Sequence, residues 1–179
     1  MIILGVDPGT NLTGFGIIKQ NGGSFSLINN GLIKLSSYNT LSDKLVVIYD
    51  ELITIIKQYK PDEFALETAF YGKNVQSAMK IGYARGAAIL AAAHYKIPLS
   101  EYSPREIKKS VVGKGGASKE QVSYMIKTLL AIRKTKMKFD ESDALAVALC
   151  HGFRMGTHKK KGRDWKSFIE QFPERVIGQ

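Results

Sequence analysis

The chain has one cysteine and one tryptophan among 179 residues, with five prolines and three histidines. A lone Cys150 excludes an internal disulfide, and no cysteine or histidine spacing matches a zinc site. Cys150 lies in the apolar helical pattern "ALAVALCHGF", as a buried structural thiol would. No apolar run is long enough to span a bilayer. The start lacks the basic segment and cleavage site of a secretory signal. A reducing cytoplasm is therefore the expected location. Acids are also scarce, with 16 Asp and Glu against 26 Lys and Arg, a net charge of +10. Hydrophobic residues make up 44%, which excludes a disordered chain, and the length suits one domain with a substantial core.

The positive charge is concentrated. Between Pro104 and Lys138 lie ten cations against Glu106 and Glu120 alone. A few such charges would suit any solvated helix face. A bias this dense favours a polyanion, and nucleic acid before a membrane surface, because no amphipathic anchor accompanies it.

Where acids are few, their positions stand out. "MIILGVDPGTNLTGFGII" starts as a buried strand over 2–7 and ends in Asp7, just before Pro8 and Gly9 break it. This places Asp7 at a sheet edge. Two further strands, 13–20 and 24–35, are joined through "QNGG", a hairpin turn. Helical periodicity covers "LSDKLVVIYDELITIIKQY", with Ser42 as its cap and Pro61 after its end. "EFALE" is a short strand ending in Glu67. "NVQSAMKIGYARGAAILAAAHY" is a long helix rich in small residues, a face for the sheet or for a second chain. "IPLSEY" is a fifth strand. Short helices follow from Pro104 to about Val111 and from a cap at Ser118 to about Ile132. "DESDALAVALCHGF" is the last core helix, opening with Asp140 and Asp143 on one face. The order predicts an α/β fold, a mixed sheet flanked by helices. After Gly156 a basic, solvated stretch leads to Trp165, Phe168, Ile169 and Phe172, one face of a short helix capped by Asp164.

If the strands ending in Asp7 and Glu67 are parallel neighbours, their acidic tips sit side by side. The last helix then has only to cross that end to bring four acids together. A unit pair of like charges at about 4 Å costs roughly 4 kcal/mol at an effective dielectric of about 20. Such a cluster needs divalent cations or raised pKa values. Oxygen-only ligands select Mg²⁺, with Mn²⁺ as a substitute. Each acid alone has an ordinary reading: Asp7 as a turn cap, Asp140 and Asp143 as favourable charges at a helix start. Taken together within a basic surround, they fit a site where cations gather a phosphate backbone and acids hold the metals that cut it.

Four stretches, "ILGVDPGTNLTGFGII", "FALETAFYGKNVQSAMKIGYARGAAI", "REIKKSVVGKGGASKEQV" and "DESDALAVAL", resemble in order and spacing the RuvC family of bacterial Holliday junction resolvases. These belong to the RNase H-like superfamily. The resemblance runs from Ile2 to about His151. It implies a five-stranded mixed sheet, three antiparallel strands and then parallel ones, with helices on both faces. It places a nuclease domain over 1–155 and leaves 156–179 as a basic tail. It implies metal ligands at Asp7, Glu67, Asp140 and Asp143, where some members carry histidine at the position of Asp140. It implies two Mg²⁺ per site and hydrolysis to a 3′-hydroxyl and a 5′-phosphate. It also implies a homodimer nicking two strands of a four-way junction, and the branch-migration helicase proteins RuvA and RuvB as partners. Lys119 and Lys108 match positions that serve the scissile phosphate and DNA. Phe70 matches a base-stacking wedge, with Tyr71 as the alternative. Lys73, Asn74, Lys80 and Arg85 are further phosphate contacts. Another nuclease of the same fold, acting on RNA, shares the acids, and a non-catalytic DNA-binding module shares the basic band. An actin-like ATPase needs two such domains and is too long for this chain.

Overall fold

The protein is described from a computed structural model covering residues 1–68, 75–133 and 137–160, the last four as helical backbone only. Five strands form one sheet. They are β1 (Ile2–Asp7), β2 (Leu12–Asn21), β3 (Ser24–Lys34), β4 (Glu63–Glu67) and β5 (Leu99–Tyr102). Their order is β3-β2-β1-β4-β5. The first three are antiparallel, while β4 pairs parallel with β1 and β5 parallel with β4. Helices α1 (Leu41–Tyr59), α2 (Val75–His94), α3 (Pro104–Val112), α4 (Lys119–Leu129) and α5 (Phe139–Lys160) complete the described chain.

Strand alternation divides the core in two. Leu4, Val6, Ile17, Phe64 and Leu66 face α1 and α2, against Ile48, Leu52, Ala84 and Ala88. Ile3, Ile18 and Ala65 face α3, α4 and α5, against Ile107, Ile126, Leu145 and Leu149. Asp7 shares the parity of Ile3, and Glu67 that of Ala65. Both strand-end acids therefore point toward the α5 side.

On that side α5 rests directly on backbone. Gly5 pairs with Gly16, and Asp7 with Gly14. A Cβ on Gly5 would lie 2.3 Å from the Ala144 carbonyl oxygen, and one on Gly14 would lie 2.1 Å from that of Asp140. Any side chain at these two positions would lift the first turns of α5 off the sheet. The glycine pattern inside "GVDPGTNLTGFG" thus sets where the acids at the start of α5 come to lie.

Several local expectations need correction. β1 is the central strand, so Asp7 stands at the carboxyl end of the sheet and not on an edge strand. Thr40, not Ser42, caps α1: its hydroxyl accepts the Asp43 N–H at 3.1 Å, and Ser42 lies within the first turn. α4 stops at Leu129, where Ala131 turns left-handed (φ 50°) and the Ile132 N–H closes onto the Lys127 carbonyl. α5 continues unbroken to Lys160, so the helical backbone runs four residues past Gly156. The helix expected around Trp165–Phe172 lies outside the described residues.

Candidate active site

Val6 pairs in register with Leu66, so Asp7 and Glu67 are the next residues on adjacent parallel strands. The two carboxyls hydrogen-bond to each other. The turn after Asp7 is fixed by Thr13, a fully buried residue whose hydroxyl donates to the Gly9 carbonyl at 2.9 Å and accepts the Gly9 N–H. Sequence reading missed Thr13; its signal was a hydroxyl within an otherwise apolar strand start.

The first turn of α5 is held by Glu141, also missed. Its carboxylate accepts the Lys138 N–H at 2.8 Å and the Asn30 side-chain amide at 3.0 Å, tying α5 to β3. Asp143 follows half a turn later. Its Oδ2 receives the Lys119 ammonium at 2.9 Å. Lys119 is the first residue of α4, behind a capping box formed by Ser118 and Gln121. Lys108 reaches the same place from α3, whose start is secured by the Ser103–Glu106 capping box and by Arg154 on Glu106 at 2.7 Å.

Asp7, Glu67, Asp143, Lys108 and Lys119 line one cavity of about 190 Å³, closed on its apolar side by Pro104, Ile107 and Val122. Asp140 does not line it, although its charge is felt there. Burial raises the Asp7 carboxyl to about 6, helped by repulsion from Asp143 and Asp140. Burial raises Glu67 further, to about 8, with Asp7 and Asp143 adding to it. Lys119 is held above its ordinary value, first by its hydrogen bond to Asp143. At neutral pH the pair Asp7–Glu67 thus retains a proton that belongs to the pair. Among the described residues no three carboxylates converge within ligand distance of one point. One shared proton and the ammonium groups of Lys119 and Lys108 offset the three lining carboxyls as they stand. The donor set consists of carboxylate oxygens alone and strains to keep its full negative charge. That chemistry fits a hard divalent cation.

Among the remaining predicted contacts, Lys80 lies on α2 away from this cavity, beside Thr10 and Lys44. Arg85 forms an ion pair with Glu101 of β5. Phe70, Tyr71, Lys73 and Asn74 lie outside the described residues. His151, to which the sequence assigned no chemistry, is buried between the Tyr102 hydroxyl (2.8 Å to Nδ1) and Glu63 (3.4 Å to Nε2), and burial lowers its pKa. It ties α5 to β4 and β5.

The family model described as "Crossover junction endodeoxyribonuclease RuvC" matches residues 3–151. The chain belongs to the RuvC family. A RuvC from Cytophaga hutchinsonii is 46% identical over 98% of this chain and 88% of its own length. One from Chloroherpeton thalassium is 45% identical over 99% of this chain and all of its own. Both carry the name crossover junction endodeoxyribonuclease. Among solved structures, T. thermophilus RuvC in complex with Holliday junction substrate superposes with a TM-score of 0.83 at 28% identity, covering 88% of this chain and 96% of that one. The five-stranded mixed sheet flanked by helices is the RNase H-like fold of RuvC. The expectation of a RuvC-family crossover junction endodeoxyribonuclease is borne out by these matches. No described helix is long and apolar enough to cross a membrane.

Proposed function

We propose that this chain resolves four-way DNA junctions in recombination and repair by symmetric nicking of two strands, with Asp7, Glu67, Asp140 and Asp143 holding two Mg²⁺, or Mn²⁺ in their place. The observation that carries this reading is the convergence of Asp7, Glu67 and Asp143 with Lys108 and Lys119 on one cavity at the carboxyl ends of β1 and β4. When bound, the cations would supply an activated water and stabilise the charge of the leaving 3′ oxygen. The protein groups have distinct tasks. Asp7 and Glu67 must release their shared proton to become full ligands, which ties loading of the site to pH. Lys119, on Asp143, is placed to exchange that partner for a phosphate oxygen of the scissile group. Lys108 adds a second donor to the backbone from the α3 side. Ile107 and Val122 form the apolar wall against which these charges act.

One such cavity cuts one strand, so symmetric nicking requires two copies of the chain, and C2 symmetry matches that of the junction. The α2 face suits that contact. Val75, Met79, Tyr83 and Leu90 are 70%, 53%, 47% and 58% exposed. They follow a helical stripe with Gly82 and Gly86, where an added Cβ would meet nothing. An exposed apolar stripe supports its use as a contact between copies. Phe70 would act as the base-stacking wedge, and Lys73, Asn74 and Lys80 as phosphate contacts; Arg85 would first have to leave Glu101. The branch-migration proteins RuvA and RuvB are the proposed partners, and the cytoplasm the proposed location.

The test is a mobile synthetic junction with and without Mg²⁺. The wild-type protein should nick it at symmetric positions. Asp7→Asn should bind it equally well and cut at least about 10²-fold more slowly, as when a stabiliser of developing charge is lost. Equal cutting by Asp7→Asn would refute the ligand assignment. Faster cleavage of an RNA–DNA hybrid than of the junction would refute the substrate.

A further inference from the structure

The turn that begins at Asp7 borders two cavities. Asp7 lines the one described above. Three residues on, Thr10 and Asn11 line another, of about 360 Å³, together with Asn39, Lys44, Ser77 and Lys80. Leu41 and Ile81 complete its lining. Each of those six polar side chains can donate a hydrogen bond, and no carboxylate lines the depression. Lys44 comes from the first turn of α1 and Lys80 from α2, so two ammonium groups are brought to one depression by separate helices. Neither is in an ion pair among the described residues. Two ammonium groups and four neutral donors around one depression offer an anion several hydrogen bonds, two of them charge-assisted. The active-site cavity is acidic with lysines at its rim; this one is basic and amide-rich throughout.

Distance decides which anion. Three residues of chain span at most about 11 Å, so Thr10 is no farther than that from Asp7. One strand of duplex DNA rises about 3.4 Å per nucleotide, so that reach corresponds to about three nucleotides. We propose that the depression between Thr10, Asn11, Lys44 and Lys80 holds a backbone phosphate of the strand being cut, within about three nucleotides of the scissile bond. Lys44, Thr10, Asn11 and Asn39 thereby become positioning residues: they set the register in which the strand enters the site. They touch phosphate and not base edges, so they fix position without reading sequence. This inference rests on the junction-cutting reading and adds to it a second anchor point on the cut strand.

The experiment uses the full chain and a set of junctions, each with one neutral methylphosphonate in place of a phosphate of the cut strand. Binding is measured in EDTA, so that nothing is cut. Wild type should lose affinity when the modification falls at one position within three nucleotides of the cleavage site. Lys44→Gln should be insensitive at that same position and retain its sensitivity elsewhere. Its plot of log affinity against log salt should flatten by about 0.9, which shrinks its deficit against wild type about 3.5-fold between about 50 and about 200 mM. Lys44→Arg should restore both behaviours. Lys57→Gln, about 20 Å along the same helix, should change neither. If Lys44→Gln responds to every methylphosphonate as wild type does, the proposal is wrong even though junctions are cut. If wild type neither binds nor cuts a junction, the reading beneath it falls as well.

Discussion

Replacing Glu67 by glutamine should make the metal-free protein more stable at pH 8 while abolishing cleavage. In the unfolded chain the Glu67 carboxyl titrates at its ordinary 4.5; in the folded site burial and the neighbouring acids raise it to about 8. Between those values the folded state keeps a proton that the unfolded state has released. Stability is therefore full below about 4.5 and falls as pH rises through about 8. Asp7, raised from 3.8 to about 6, steepens the acidic part of that decline. At about 1.4 kcal/mol per pH unit, the ceiling for Glu67 is about 5 kcal/mol. Water entering the cavity and the Lys119 ammonium beside Asp143 relieve part of it, leaving about 2–3 kcal/mol at pH 8. Glutamine keeps the shape and can donate to Asp7 as the protonated acid does, but it carries no charge at any pH. Thermal unfolding in EDTA from pH 5 to pH 8.5 should show wild type losing melting temperature with pH and Glu67→Gln losing much less. At pH 8 the variant should lead by about 4–12 °C, given about 2–4 °C per kcal/mol for a domain of this size. Mg²⁺ should raise wild type at pH 8 more than the variant, because binding to the folded state alone stabilises it. A wild-type profile flat between pH 5 and 8, or a variant melting with wild type at pH 8, would refute the reasoning.

Three other outcomes can be checked directly. Gly14→Ala places a methyl 2.1 Å from the Asp140 carbonyl, so α5 must shift; we expect a loss of about 1–3 kcal/mol in urea unfolding and a marked fall in cleavage, and a variant equal to wild type in both would show that α5 does not rest on β2. Lys108→Ala should flatten the salt dependence of junction binding by about 0.9 if the ammonium neutralises a phosphate, and an unchanged slope returns it to the surface. Leu90→Asp, on the exposed α2 stripe, should convert a dimer to a monomer in light scattering while leaving the far-ultraviolet circular dichroism intact; a persistent dimer would place the contact elsewhere.

Much of the fold was legible because its local rules agree. Alternation defined the strands, Asn21-Gly22-Gly23 and Pro61 punctuated them, Pro104 marked the start of α3, and Ser118 that of α4. Where local signals competed, the sequence misled. Thr40 and Ser42 are both good caps, and only the position of the first helical hydrogen bond selects Thr40. The last core helix reads as ending near Phe153, yet its backbone continues through Lys160. Thr13 and Glu141 escaped notice because their partners, Gly9, Lys138 and Asn30, are defined by turn and helix geometry and by a β3 neighbour far away in sequence.

The sequence by itself determined which residues carry charge at strand ends and helix starts, since periodicity and breaking residues are local properties. It determined the family too, through the order and spacing of four motifs. Tertiary structure alone decided that Val6 pairs with Leu66, that glycines admit α5 onto the sheet, and that Lys119 meets Asp143. It also decided that Asp140 stands beside the cavity and not in its lining, and that Lys44 and Lys80 share a second one. The reason is physical. Charge and propensity belong to single residues and their near neighbours, whereas a pKa raised by burial, or two lysines lining one depression, exists only once distant segments have come together.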